Sequence, residues 1–171
     1  MIAGTRNDSF IFLDVDGPLI PFKARVVARP VGARVDLLSE FGNPLLDRLN
    51  PEDGRQLLTL GCQLVWATTW MAEANEVISP LLGLPELPIV EWPDDEEPPG
   101  ALHWKTAFLT RWAAGRPFVW IDDETTEADQ RWVQANHPSR ALLHRINPHV
   151  GMTEMDFSTI RQWLEADRSA G

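Results

Sequence analysis

The chain has 171 residues, 44% of them apolar and 23% charged, with a formal net charge of −10. These are the proportions of a globular protein of one-domain length. The negative charge works against broad, non-specific nucleic-acid binding, though not against a local basic patch. No run approaches the roughly 18 apolar residues of a membrane span, which leaves no membrane partner to expect. Residues 1–8 lack the apolar core of a secretory signal, so a cytoplasmic protein is expected. The single cysteine, Cys62, permits no intrachain disulfide and reads as a small buried hydrophobe.

Phe10-Ile11-Phe12-Leu13 is an apolar run that ends abruptly at Asp14-Val15-Asp16-Gly17, the pattern of a buried strand leading into an acidic turn. Residues 19–35, with Pro21, Pro30 and Gly32, read as a hairpin flap or irregular excursion. Asn50-Pro51-Glu52-Asp53 starts a helix that stops at Gly61. Gln63 to Ala67 forms a second buried strand ending at Thr68-Thr69-Trp70. A helix over 71–79 and a short strand over 88–91 follow.

Residues 93–100, with four consecutive acids between prolines, read as a solvated loop rather than an ion site. Trp104, Phe108 and Trp112 give 103–114 a helical spacing. Pro117 to Ile121 is a third apolar strand and ends at Asp122-Asp123-Glu124. A helix over 126–136, a strand over 141–144 and a last helix capped by Thr153 complete the chain. Strands alternating with helices indicate an α/β fold with a mostly parallel sheet. Of the eight tryptophans, most are assigned to core packing; Trp70 and Trp92 are read as core or rim residues, with base stacking as the other use.

Three strands thus end in polar residues: Asp14 and Asp16, then Thr68, then Asp122 and Asp123. Ligands of open parallel sheets bind outside the carboxyl ends of the strands, so these residues are expected to meet there. Clustered carboxylates repel one another unless a cation neutralises them, and hard oxygen ligands suit Mg²⁺. Asp14 is placed to attack phosphorus, Asp16 to move protons, Thr68 to hydrogen-bond a phosphoryl oxygen and Lys105 to offset negative charge. Thr69 stands beside Thr68 as an alternative. His103 reads as structural, and Glu124 as an outer metal neighbour or a helix cap.

The order Asp14-Val15-Asp16-Gly17, Thr68, Lys105 and Asp122-Asp123, each at a strand end or between strands, resembles the four motifs of the haloacid dehalogenase (HAD) superfamily. The resemblance implies a Rossmann-like three-layer fold, Mg²⁺ dependence and phosphomonoester hydrolysis. It further implies Asp14 as nucleophile and metal ligand, Asp16 as acid/base with its carbonyl on the metal, Asp122 as principal fourth-motif ligand, and Asp123 as a direct or water-mediated one. Val65 to Trp70, Ala74-Asn75, Leu81 to Pro85, His103-Trp104-Lys105 and Trp120 to Glu124 are similar to the small HAD domains grouped with bacterial RNA repair proteins.

Neither gap between motifs has room for a full cap domain, so the site is expected to be open, under a flap at most. An open site suits a phosphorylated substrate with a large body, such as a nucleic-acid end. Lys23, Arg25, Arg29 and Arg34, with no acid among them, read either as a local basic patch that would grip it or as a solvated hairpin face. A small-metabolite phosphatase, a phosphotransferase and a non-catalytic domain of the same fold are the alternatives.

Overall fold

In the computed structural model, which describes residues 7–25, 43–94, 97–98 and 100–169, four strands form one sheet. They are β1 (Phe10–Leu13), β2 (Gln63–Trp66), β3 (Phe118–Asp122) and β4 (Ala141–Arg145), in the order β2-β1-β3-β4. Every neighbouring pair is parallel, with Leu13 level with Trp66 on one side and Ile121 on the other. Asp14 and Asp122 therefore leave the sheet at the same height. The chain moves from β1 to one side and then crosses to the other, so the strand order reverses at β1, which is where a parallel sheet opens a crevice.

The alternation of side chains along each strand builds two apolar layers. Ile11, Leu13, Leu64, Trp66, Val119 and Ile121 face one way, packing with Leu57 of α1 (Pro51–Thr59), Leu82 of α2 (Ser79–Leu82) and Phe157, Ile160 and Leu164 of α5 (Glu154–Ser169). Phe10, Phe12, Val65, Phe118 and Trp120 face the other, against Leu109 and Ala113 of α3 (Thr106–Ala113) and Val133 of α4 (Glu127–Asn136). Because both faces are covered, the strands read as continuous apolar runs rather than alternating ones. The result is the three-layer α/β architecture expected, with a fully parallel sheet.

Three elements differ from expectation. The strand over 88–91 is only a bridge, Trp66 to Ile89, held by Trp66 N–H donating to the Pro88 carbonyl and Val90 N–H to that of Trp66, both at 2.9 Å. Prolines at 85, 88 and 93 remove the donors a longer strand needs. The helix over 71–79 starts at Ala72 and runs through a π-helical turn (Ala74–Ile78) into α2. Pro80 has no N–H to give to the turn before it, and Ser79 N–H reaches back to the Ala74 carbonyl. The helix over 103–114 begins only at Thr106, because the Asp129 carboxylate accepts from His103 N–H (2.8 Å) and Thr106 Oγ1 (2.7 Å) and holds this approach as a turn.

Of the basic flap, residues 26–35 lie outside the described residues, with Arg29 and Arg34 among them, as do Asp95, Glu96 and Pro99 of the acidic loop. Arg25 is not part of a solvent-facing patch. Its guanidinium meets buried Asp53 at 2.6 Å and also donates to the carbonyls of Arg48 (2.9 Å) and Leu19 (3.2 Å). Arg48, at the end of a 3₁₀ helix (Pro44–Arg48), donates in turn to the carbonyls of Pro21 (3.0 Å) and Phe22 (2.7 Å). Two arginines thus staple the segment after β1 to the rest of the protein.

Gly54, inside α1, lies against α2 so closely that a Cβ there would sit 1.9 Å from the Leu82 carbonyl oxygen. Backbone cannot yield as a flexible side chain would. Gly54→Ala is expected to destabilise the protein by about 2–3 kcal/mol despite the better helix propensity of alanine, read as a lower urea midpoint at unchanged m-value.

Candidate active site

The abrupt ends of β1 and β3 place their acids at one mouth of the sheet. Asp14 is the first residue past β1 and Asp122 the last of β3. Lys105, in the turn before α3, inserts its ammonium between them, 3.3 Å from Asp14 Oδ1 and 2.9 Å from Asp122 Oδ2. Asp122 is fully buried. Its Oδ2 also accepts from Trp120 Nε1 (3.2 Å), and its Oδ1 from the Glu124 backbone N–H (3.0 Å). Burial works against a charged lysine, yet the two carboxylates outweigh it and raise the Lys105 pKa.

One cation does not neutralise this cluster. Asp14, Asp16, Thr69, Lys105, Asp123, Glu124, Phe22 and Trp104 line a cleft of about 170 Å³. Oxygens of Asp14, Asp122 and Asp123 lie within 4.8 Å of one another. Burial, relieved in part by Lys105 and reinforced by Asp122, pushes Asp14 up to about 7. Burial and the Asp122 charge push Asp123 up to about 6. Such shifts are what crowded carboxylates show when positive charge is missing, and an all-oxygen donor set fits a hard divalent ion such as Mg²⁺. Asp123 comes close because the turn at Gly17 has no side chain. With φ at 101°, a Cβ there would meet Asp123 Cγ at 2.7 Å.

The expected residues therefore converge, with two shifts of emphasis. Asp122 already accepts three hydrogen bonds and lies behind the cleft, whose lining aspartates are Asp14, Asp16 and Asp123. Thr68 is fully buried, and its Oγ1 accepts the Trp70 N–H at 3.2 Å. Thr69 is the threonine lining the cleft. The peptide after β2 turns sharply, so a strand-end position leaves Thr68 inside and presents its neighbour.

Several supporting residues were not legible in the sequence. Trp70 Nε1 donates to Asp16 Oδ2 at 3.0 Å, and Trp92 Nε1 to the Thr68 carbonyl at 3.1 Å. Neither indole is a bare stacking surface. Asp129 binds His103 and Thr106 on either side of Lys105 while completing a capping box with Thr126 at the start of α4. A Thr-x-x-Asp pattern signals the cap but not the second task. His103 Nδ1 accepts the Lys105 N–H (3.2 Å), which leaves the proton on Nε2 for Glu124 Oε2 at 3.0 Å. His103 and Glu124 thus pair at the rim.

A parallel sheet reversing at β1, with acids at its carboxyl edge and a lysine bridging two of them, is consistent with a domain of the HAD superfamily. The family model described as the HAD domain in Swiss Army Knife RNA repair proteins matches residues 10–157, and the chain belongs to that family. No curated protein and no solved structure gives a significant match. Among the described residues no helix is long and apolar enough to cross a membrane.

The titrations have opposite signs. Asp14 and Asp123, raised to about 7 and about 6, hold protons in the cation-free fold that the unfolded chain has released. Their contribution is full below about pH 4 and is lost as pH rises through 6 and 7. Asp129 and Asp156 are shifted the other way. Burial opposes this, but Thr106 and Thr126 on Asp129, and His144 and Thr153 on Asp156, hold both below the usual 3.8. Their contribution is present above about pH 4 and is lost at still lower pH. In EDTA, the melting temperature is expected to peak at about pH 4–5 and fall toward pH 7.5, with Mg²⁺ reversing the loss at the upper end; calorimetry across pH with and without the ion checks this.

Proposed function

We propose that the protein is a Mg²⁺-dependent phosphomonoesterase working through an aspartyl-phosphate on Asp14. The observation that carries this reading is the Asp14 carboxylate at the end of β1, 3.3 Å from the Lys105 ammonium, in a cleft it shares with Asp16 and Asp123. Asp14, Asp123, the Asp16 carbonyl and, behind them, Asp122 would hold the ion. When bound, the ion supplies positive charge to the phosphate oxygens and to the carboxylates themselves.

In the first step an Asp14 oxygen attacks phosphorus and the ester P–O bond breaks. The electron pair leaves on the substrate oxygen, which takes a proton from Asp16. In the second step water attacks the same phosphorus and gives a proton to Asp16. The Asp14–phosphorus link breaks, and inorganic phosphate and the carboxylate are released. Trp70 holds Asp16 through Oδ2, which fixes the acid in place. Lys105 stabilises Asp14 as an anion and the charge that develops on the phosphoryl group. Thr69, at the cleft wall, supplies a hydroxyl to a phosphoryl oxygen.

A cleft of about 170 Å³ lies below the roughly 300–1,000 Å³ of pockets that enclose small ligands. It has room for a phosphate and little of what bears it. Its wall residues Asp16, Thr69, Phe22 and Glu124 are exposed, so the body of the substrate lies outside. This favours a phosphate on a large molecule, and the family description, which refers to RNA repair, favours the end of a nucleic acid.

Hydrolysis of a phosphorylated oligonucleotide and of a generic aryl phosphate should require Mg²⁺, stop in EDTA, and fall by about 10³-fold or more in Asp14→Asn. Metal-independent turnover, or turnover that survives Asp14→Asn, would contradict the mechanism. Thr69→Ala is expected to lower kcat/KM about tenfold, the worth of one hydrogen bond to a charged group. Thr68→Ala should act mainly on thermal stability; steady-state kinetics and melting curves on both variants separate the two roles.

A further inference from the structure

Large apolar side chains are half exposed or more at few described positions, and of these only Phe22, 54% exposed, lines the cleft. Its surroundings hold it firmly. The Phe22 N–H donates to the Pro148 carbonyl at 2.7 Å, its own carbonyl accepts from Arg48 Nη1 at 2.7 Å, and Arg48 also binds the carbonyl of Pro21. The ring stands edge-on to His149, with centroids 5.9 Å apart at 85°. Arg25 fixes the same segment from beneath through Asp53. An aromatic face left in water on a fixed stretch of backbone, with His149 at its edge, gains nothing for the core. The main chain that carries it is already restricted before anything binds, which lowers the cost of presenting the ring to a flat apolar partner.

We propose that Phe22 is a stacking platform for the base of the nucleotide whose phosphate enters the cleft. This rests on the phosphatase reading above and adds the residue that selects the group next to the phosphate. The cleft accepts the phosphate alone, so what is attached to it emerges at the rim where Phe22 lies. The acids around the mouth disfavour a second anionic group there, whereas a neutral planar ring loses little by lying beside them and gains stacking contact. Trp104 lines the same cleft, but its ring is already stacked on His103 and edge-on to Trp92. Trp70 and Trp92 are not among the residues that line the cleft and do not take this part.

Two readouts test it, one with turnover and one without. In the first, kcat/KM is measured for an oligonucleotide with a phosphorylated terminal nucleotide and for its counterpart with an abasic terminal sugar. Phe22→Ala is expected to lower the preference for the base-bearing substrate about tenfold, Phe22→Trp to keep it, and Met155→Ala, a change at an exposed apolar residue outside the cleft lining, to leave it as it was. An unaltered preference in Phe22→Ala would overturn the proposal. In the second, the Asp14→Asn protein with Mg²⁺ is titrated with the same oligonucleotide carrying 2-aminopurine as its terminal base. Stacking should quench its fluorescence, and adding Phe22→Ala should abolish the quenching. Absence of quenching with Phe22 in place, or quenching that persists in Phe22→Ala, overturns the proposal even if no ester is hydrolysed. Quenching that depends on Phe22 in a protein that turns over no phosphate ester would support the platform while removing the phosphatase reading.

Discussion

Everything at the mouth of the sheet depends on the Lys105 ammonium lying between Asp14 and Asp122. Two carboxylates at neighbouring strand ends repel one another, and burial raises the cost of charging either. The lysine makes this tolerable by meeting both. In exchange the carboxylates hold its amine protonated although it is almost wholly buried. The arrangement still leaves an excess of negative charge facing the cleft, so the pair of Asp14 and Asp123 remains available for a further cation. Structural neutralisation falls mainly to Asp122, which accepts three hydrogen bonds, while Asp14 and Asp123 face the cleft.

The sheet and the place where the candidate site's acids gather were legible because their signals are local and strong. Phe10 to Leu13 and Phe118 to Ile121 are apolar on both faces and stop at acids, so strand, direction and site position follow together. What was not legible depends on geometry between distant residues. Nothing near Asp129 announces that it holds the turn carrying Lys105, because that partnership spans more than twenty residues. The choice between Thr68 and Thr69 turned on which side of a sharp turn each faces. Arg25 looked like part of a basic surface because charge along a sequence does not reveal a buried partner such as Asp53. The strand over 88–91 failed for a reason that was visible, the prolines, but whose weight appears only once Trp66 is seen to offer it a single bridge.

Phe22 and its two arginine staples show how the protein combines openness with order. An open cleft cannot rely on enclosure to arrange its walls. Here the segment after β1 is fixed instead by Arg25 and Arg48, which bind main-chain carbonyls and, for Arg25, the Asp53 carboxylate. Such bonds constrain the backbone whatever residues occupy the inner surface. The face turned toward the cleft is therefore free to vary in chemistry while its position stays the same.

Asp129 has a consequence for motion. One carboxylate closes the first turn of α4 and at the same time anchors the turn that carries Lys105, so these two stretches cannot open independently. The amides of His103 and Thr126, which both donate to it, belong to one cooperative unit and should exchange with solvent together. Fraying at the start of α4 would withdraw the lysine from between the aspartates and return two unshielded negative charges to each other. The helix terminus and the charge balance of the cleft are in that sense a single equilibrium.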